Sequence, residues 1–231
     1  MPTHLYCLLA AESDSAPPTD AGDVRALRIG DIVAWVATTA DEKTSREGSR
    51  AAQQVVEHDR VIAHALARDV TPVPATLADP YPSDQAAIAD IAKRRDEITE
   101  SLRRVDGTVE MAVILAAPAA VSAPLPDGDP GPGRTYLERL REGPKLLKSI
   151  SDELDRRLEG VALVSSRRAE RDRIGLSHLV RRRDVDAYRA IARDFASKQY
   201  RMVVDGPRAP YSFGAFSPTS GVANSSGPSR A

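Results

Sequence analysis

Apolar and polar positions along the first half of the chain follow two different periods. In Thr3-His4-Leu5-Tyr6-Cys7-Leu8-Leu9 apolar residues dominate both faces, the pattern of a central strand buried on both sides. A polar loop at 11–23 separates it from residues 24–29 and 32–37. These flank Gly30-Asp31 and read as a hairpin closed by a two-residue turn. A second polar loop, 38–48, leads to a helix expected over 49–68, with Ala52, Val55, Ile62 and Leu66 as its apolar stripe. Pro72 and Pro74 make 70–77 an extended edge or loop segment rather than a central strand. Ser83 suits the cap of a second helix running to Val105, striped by Ile88, Ile91, Ile98, Leu102 and Val105 and interrupted by Arg95. Asp106-Gly107 ends that helix, and Thr108–Ala116 reads as a strand. The resulting order, β-β-β-α-β-α-β, predicts a ferredoxin-like α+β sandwich with helices on one face of an antiparallel sheet.

Residues 117–133 are proline- and glycine-rich and read as a linker. Beyond them a helical region spans 134–158, interrupted at Gly143-Pro144, with Leu147, Ile150, Leu154 and Leu158 on one stripe. Strands are expected at 161–165 and 174–180, joined by a very basic loop, and Asp184 suits the cap of a helix presenting Val185, Tyr188, Ala192 and Phe195. A last strand covers 200–204, after which the chain turns through 206–213. The pattern therefore divides the chain into a first domain at 1–116, a linker at 117–133, and a smaller α+β domain at 134–213. A Ser/Gly/Pro-rich tail at 214–231 is expected to be disordered.

Composition narrows the class. The chain has 231 residues, 42% of them hydrophobic and only 4% aromatic, so its cores are built from Ala, Val, Leu and Ile. No apolar run approaches the roughly 20 residues of a membrane span. The opening MPTHLYCLLAAESD has no basic stretch ahead of its short apolar run, so neither a secretory leader nor a membrane anchor is expected, and the expected location is the cytoplasm. The one cysteine, Cys7, can form no internal disulfide and falls in a buried strand, where it reads as a small core residue. A net charge of -1 conceals an asymmetry: residues 1–133 carry 12 Lys+Arg against 21 Asp+Glu, and residues 134–208 carry 19 against 12. Two modules, or two faces, of opposite sign follow from this.

Signals for chemistry are sparse. There is no phosphate-cradling GxxxxGK[ST] or GxGxxG and no GxSxG elbow, and His4, His58, His64 and His178 form no HxxxH or HExxH pair. No metal, cofactor or catalytic set is expected. His58 falls on the buried stripe of its helix, where a histidine hydrogen-bonded at a helix–sheet interface is the default reading against a catalytic or pH-sensing one. His178 alternates with Ile174, Leu176 and Val180 and reads as a half-buried strand residue. Arg167, Arg168, Arg171 and Arg173 form one basic cluster and Arg181, Arg182 and Arg183 another. Were both at the same end of a sheet they would form a positive patch. RNA-binding sheets usually add exposed aromatics for stacking, and these strands carry no Phe or Trp, so nucleic acid is not the expected partner.

Several segments together resemble the gas vesicle protein L/F family (GvpL/GvpF). Leu5-Tyr6-Cys7-Leu8-Leu9 resembles its opening strand, and Ile29-Gly30-Asp31-Ile32-Val33-Ala34-Trp35-Val36 its hairpin. His58 within Val55–Ile62 matches its characteristic helix histidine, and Thr71-Pro72-Val73-Pro74-Ala75-Thr76 its extended segment. Gly107-Thr108-Val109-Glu110 resembles its Gly-x-Val-Glu strand, and Pro132-Gly133-Arg134-Thr135-Tyr136-Leu137 its Pro-Gly-x-x-Tyr-Leu helix start. The most specific piece is Gly206-Pro207-Arg208-Ala209-Pro210-Tyr211-Ser212-Phe213, close to the closing Gly-Pro-x-x-Pro-Tyr-Ser-Phe. The chain departs from the family at Ala75-Thr76-Leu77, where Arg-Phe-Gly is frequent, and at Arg208-Ala209, where Trp-Pro is common.

The resemblance implies two α+β domains, the first ferredoxin-like and the second with a helical, coiled-coil-like part. It implies a non-catalytic accessory protein of gas vesicle assembly, located in the cytoplasm or at the vesicle and monomeric on its own. Its implied partners are the hydrophobic shell protein (GvpA) and other accessory proteins. Candidate interaction residues are Tyr6, His58, Glu110, Tyr136, Gly206, Pro207, Pro210, Tyr211 and Phe213. A regulatory ligand-binding module or a nucleic-acid binder is the alternative that the residues alone leave open.

Overall fold

In the computed structural model, residues 1–12, 16–19, 23–39, 47–116, 132–170, 173–196 and 200–219 are described, by backbone alone at 47–51 and 132–142. They form two compact units. The first comprises residues 1–106 together with the chain from Ala209 onward, and the second Gly107–Arg208. Each is built on a four-stranded antiparallel sheet with helices, so the chain is α+β in both parts.

The first sheet contains β1 (Thr3–Ala10), β2 (Arg25–Ile29), β3 (Ile32–Thr38) and the two-residue β4 (Val73–Pro74), in the order β2-β3-β1-β4. The hairpin turn is at Gly30-Asp31, and Gly30 has φ +61°, a left-handed conformation that glycine adopts without a Cβ penalty. Three helices accompany the sheet: α1 (Glu47–Ala67), α2 (Asp84–Lys93) and α3 (Arg95–Val105). They lie on both faces, not on one as the pattern predicted. Leu5, Leu8, Ile32, Ala34 and Val36 pack with Ile91, Ile98 and Leu102 of α2 and α3. Tyr6, Cys7, Leu9, Val33 and Trp35 pack with Val61, Ile62 and Ala65 of α1. A bulge at Tyr6, between the pairs Leu5↔Val36 and Cys7↔Trp35, puts Tyr6 and Cys7 on the same face and keeps the rest of β1 in alternation. Each fully buried Leu or Ile contributes about 1.5–3 kcal/mol, and with both faces covered β1 has such residues throughout.

Two helical expectations are corrected. The stripe of α1 begins at His58: Ala52 and Val55 are exposed, whereas Ile62 and Leu66 pack on the sheet as expected, joined by Val61 and Ala65. The helix from Ser83 is two helices. Ser83 caps α2 as expected, its hydroxyl accepting from the Ala86 N–H, but Arg94 leaves helical geometry at φ −106°, ψ 20°. Arg95, which interrupts the stripe, donates to Asp31 at the hairpin turn, 2.8 Å away.

The second sheet contains β5 (Thr108–Ala116), β6 (Ala162–Ala169), β7 (Arg173–Arg181) and β8 (Arg201–Arg208), in the order β6-β7-β5-β8. Thr108–Ala116, expected in the first sheet, pairs with β7 along its whole length and with β8 from Glu110 onward. A strand that follows a helix with only Asp106-Gly107 between them can join either sheet, and the apolar partners here come from later in the chain. The chain thus leaves the first unit at Asp106, not at the proline-rich 117–133, most of which lies outside the described residues. One face is covered by α4 (Pro132–Arg157) and α5 (Val185–Phe195), through Leu147, Leu154, Leu158, Tyr188 and Ala192 against Met111, Val113, Leu115, Ile174 and Leu176. Pro144 lies inside a continuous α4, which occupies the position expected for a coiled-coil-like part. β8 runs through Gly206-Pro207, where a turn was expected, with a bulge opposite Glu110/Ala112.

The tail is also corrected. Residues 210–219 are described, and they pack on the first unit: α6 (Tyr211–Gly214) lies against α3 and β4, and Phe216 is 3% exposed in the first core. The rest of the expected disordered tail, 220–231, lies outside the described residues.

Gly206 is the most crowded of the described glycines. Its φ is +116°, and a Cβ there would lie 2.8 Å from the Glu110 carbonyl oxygen. Gly206→Ala is expected to destabilise the second unit by about 2 kcal/mol or more, read as a lower urea midpoint; an unchanged midpoint would show that β5 and β8 separate easily.

Candidate functional site

Three polar clusters account for most of the residues that the sequence singles out. The first joins β1 to α1. His58, 2% exposed, faces the sheet because it is one turn before Val61 and Ile62. Its Nε2 lies 2.9 Å from the Ala75 carbonyl, which can only accept, so Nε2 carries the proton. Nδ1 of the neutral ring then accepts from His4 Nε2, 3.1 Å away. Tyr6 packs edge-on to His4 with ring centroids 4.7 Å apart. Burial pushes both histidines below their ordinary values, His4 to about 4, and lifts the Tyr6 hydroxyl to about 12.

The closing motif is adjacent. Pro210 and Ala209 are buried, Tyr211 donates to Asp59 Oδ1 at 2.7 Å, and Phe213 is half-buried. Beyond it Phe216 bridges to Ala75: its N–H donates to the Pro74 carbonyl and its own carbonyl accepts from Thr76 N–H, both at 2.8 Å. Arg94, freed from the helix by the break, stands 4.1 Å from the Phe216 ring centroid and donates to the Ser217 carbonyl at 2.7 Å. Asp90 accepts from the hydroxyl and N–H of Thr219. Sequence reasoning missed Phe216 because a single aromatic among Ser, Gly and Pro carries no period.

The second cluster lies inside the second unit. His178 is fully buried between the Tyr188 hydroxyl, 2.8 Å from Nδ1, and Asp155 Oδ1, 2.9 Å from Nε2. Asp155 is acceptor-only, so Nε2–H donates to it and Tyr188 O–H donates to Nδ1. Asp155 also pairs with Arg167, whose other arm holds Asp152, both at 2.7 Å. Burial holds His178 below its usual value and raises Tyr188. Asp155 escaped notice because its two partners are 12 and 23 positions away.

The third cluster lies on the opposite face of that sheet from α4 and α5. Glu110 is fully buried and accepts from Ser177 at 3.0 Å and from Arg208 at 2.6 Å. On the same face Ile114, Val164 and Val203 are 44%, 47% and 55% exposed. The arginines do not come together. Arg167, Arg168 and Arg173 are at one end of β7 and Arg181, Arg182 and Arg183 at the other, a separation of about 25 Å for a nine-residue strand. The first group faces carboxylates: Arg167 as described, Arg173 on Glu170, and Arg168 at 3.8 Å from the same residue. Arg171 and the Tyr136 side chain lie outside the described residues.

The family described as Gas vesicle synthesis protein GvpL/GvpF matches residues 2–215. Among solved structures the chain is similar to the gas vesicle protein GvpF from Anabaena sp. PCC7120, at 12% identity and a TM-score of 0.73 over 92% of this chain and 95% of that one. It is also similar to GvpF from Microcystis aeruginosa, at 13% identity and 0.68 over 92% and 98%. No curated protein matches the chain.

Asp155→Ala would leave a buried His178 N–H without an acceptor, and is expected to cost the second unit about 2–3 kcal/mol in urea denaturation. The pH dependence has a fixed sign. His178 is harder to protonate folded than unfolded, so its contribution is whole above the unfolded value of 6.5 and is lost as pH falls from there toward the folded one. The urea midpoint of the second unit should drop between pH 7.5 and 5.5, and a flat profile would contradict the assigned hydrogen-bond directions.

Proposed function

Since the chain belongs to the gas vesicle synthesis protein GvpL/GvpF family, we propose that it is a non-catalytic accessory protein of gas vesicle assembly. In this reading it binds the hydrophobic shell protein (GvpA) and other accessory proteins in the cytoplasm or at the growing vesicle. The observation that carries it is the family match over 2–215, supported by the likeness in fold to two GvpF structures. A shell subunit that polymerises through apolar surfaces and strand edges would aggregate if released into water, and a protein that covers such a surface reversibly could deliver it.

The second sheet offers a surface of the right chemistry. Ile114, Val164 and Val203 are exposed on the face opposite α4 and α5, and β6 is an exposed edge strand. The units also differ in sign, with 13 Lys+Arg against 18 Asp+Glu in the first and 19 against 15 in the second. Such charge favours rate and orientation of docking over affinity. The non-catalytic reading rests on the use of the polar groups. His4, His58, His178 and Glu110 are engaged with neighbouring residues of their own unit, and no helix of the described residues is long and apolar enough to cross a membrane.

Co-expression of a tagged chain with a gas vesicle shell protein should yield a co-purifying complex. Ile114→Glu with Val203→Glu should reduce capture at least tenfold while leaving the urea midpoints of both units in place. Failure of the wild type to capture at low and high salt would refute the proposed partner.

A further inference from the structure

The edge of the first sheet at β4 carries a groove fitted to a short extended peptide. Residues 216–219 lie in it, and separate groups read separate positions. Phe216 adds to the edge as a parallel bridge with Ala75. Its N–H donates to the Pro74 carbonyl and its carbonyl accepts from the Thr76 N–H, both at 2.8 Å, while its side chain enters the core. The Ser217 carbonyl accepts from Arg94 at 2.7 Å, and the same guanidinium covers the Phe216 ring. Thr219 donates twice to Asp90, from its hydroxyl to Oδ1 at 2.8 Å and from its N–H to Oδ2 at 3.2 Å. Main-chain bonds to a sheet edge, with side-chain pockets at chosen positions, are how strand-adding domains recognise peptides.

Two features separate this groove from the ordinary packing of a chain segment. Its polar groups are oriented without the segment: Tyr81 donates to Asp90 Oδ2 at 2.6 Å, and Glu97 accepts from two nitrogens of Arg94 at 2.9 and 3.0 Å. The contacts also go beyond what the core requires. Phe216 alone fills the apolar space, yet the exposed Ser217 and Thr219 are each bonded by a charged side chain. A site built to bond a hydroxyl selects against a residue that lacks one, and Asp90 would repel an acidic residue at that position. One buried anchor among exposed neighbours leaves the segment easier to open than the strands it rests on.

We propose that this groove is a peptide-binding site for an extended segment of the pattern aromatic-x-x-Ser/Thr on another polypeptide, and that residues 216–219 are its cis ligand, which such a segment displaces. The inference goes beyond the shell-protein reading and stands without it, because it concerns the first unit and not the apolar face of the second. A tethered ligand competes at about millimolar effective concentration, so a partner segment enters only where it binds more tightly than the tethered one.

The test is fluorescence anisotropy with the full-length chain and a labelled peptide of sequence AFSPTS, residues 215–220. Phe216→Ala empties the pocket and should bind the peptide at least tenfold more tightly than wild type, and the peptide should restore part of the urea midpoint that the substitution lowers. Alanine in place of the peptide's phenylalanine should weaken binding at least tenfold, and in place of its threonine at least threefold. Adding Asp90→Ala to Phe216→Ala should abolish the threonine preference. Absence of saturable binding to folded Phe216→Ala would overturn the proposal. So would equal affinity for wild type and Phe216→Ala, indifference to the peptide's phenylalanine, or a threonine preference that survives Asp90→Ala. Should Phe216→Ala not fold, Thr219→Ala, which keeps the aromatic in the core, decides: affinity at least threefold above wild type supports the site, and affinity equal to wild type overturns it.

Discussion

The first unit depends on a segment that reaches it last. β4 is only two residues long, is preceded by Pro72 and ends in Pro74, neither of which can donate to a ladder, so it leaves an edge that the preceding chain does not finish. Phe216 finishes it, exchanging hydrogen bonds with Pro74 and Thr76 and entering the core shared by Leu5, Val73 and Ile91. Because residues 209–219 are needed there, everything from Gly107 to Arg208 is an excursion from the first unit. Its two ends are neighbours, since β5 and β8 are paired and Glu110 stands opposite Arg208. The closing motif straddles the return: Gly206-Pro207 completes the second sheet, and Pro210-Tyr211-Ser212-Phe213 begins the segment that seals the first.

The two sheets bury their faces differently, and their sequences differ accordingly. The first has α1 on one side and α2 with α3 on the other, so β1 and β3 are apolar at almost every position. The second, among the described residues, has its helices α4 and α5 on one side, and its edge strands β6 and β8 are exposed along most of their length. Polar groups follow the same division. His58 of the first unit and His178 of the second lie between a sheet and a helix, where a neutral ring with two fixed partners satisfies buried donors and acceptors. Glu110 sits on the open face, where Arg208 and Ser177 hold its charge.

What could be read from the sequence was local. The hairpin at Gly30-Asp31, the Ser83 cap, the doubly buried β1 and the buried His58 each follow from residues within one turn or one strand. Pairing over distance did not show. The nine residues Thr108–Ala116 are an ordinary apolar strand in either sheet, and only partners 57 or more positions later decide which one. Val55 has the correct spacing for the stripe of α1 but is 44% exposed. The break at Arg94 has no Gly or Pro to announce it; the guanidinium is drawn to Glu97, Ser217 and Phe216, and the last two come from the far end of the chain. The Asp155–His178–Tyr188 arrangement is equally non-local.

Charge illustrates how a correct count can mislead about a surface. The basic second half suggests a positive patch, yet its arginines are largely matched where they stand. Arg156 and Arg157 share Glu153, Arg167 spans Asp152 and Asp155, Arg173 meets Glu170, and Arg208 meets Glu110. Exposed pairs of this kind add little stability each, but they cancel the field that a polyanion would follow, and the length of β7 separates what remains. With the units drawn at 106/107 and 208/209 the imbalance shrinks further, because Glu110, Asp127 and Asp129 move into the basic half. Among the described residues the exposed feature of the second unit is therefore apolar: the face bearing Ile114, Val164 and Val203, whose chemistry suits a hydrophobic surface better than a charged one.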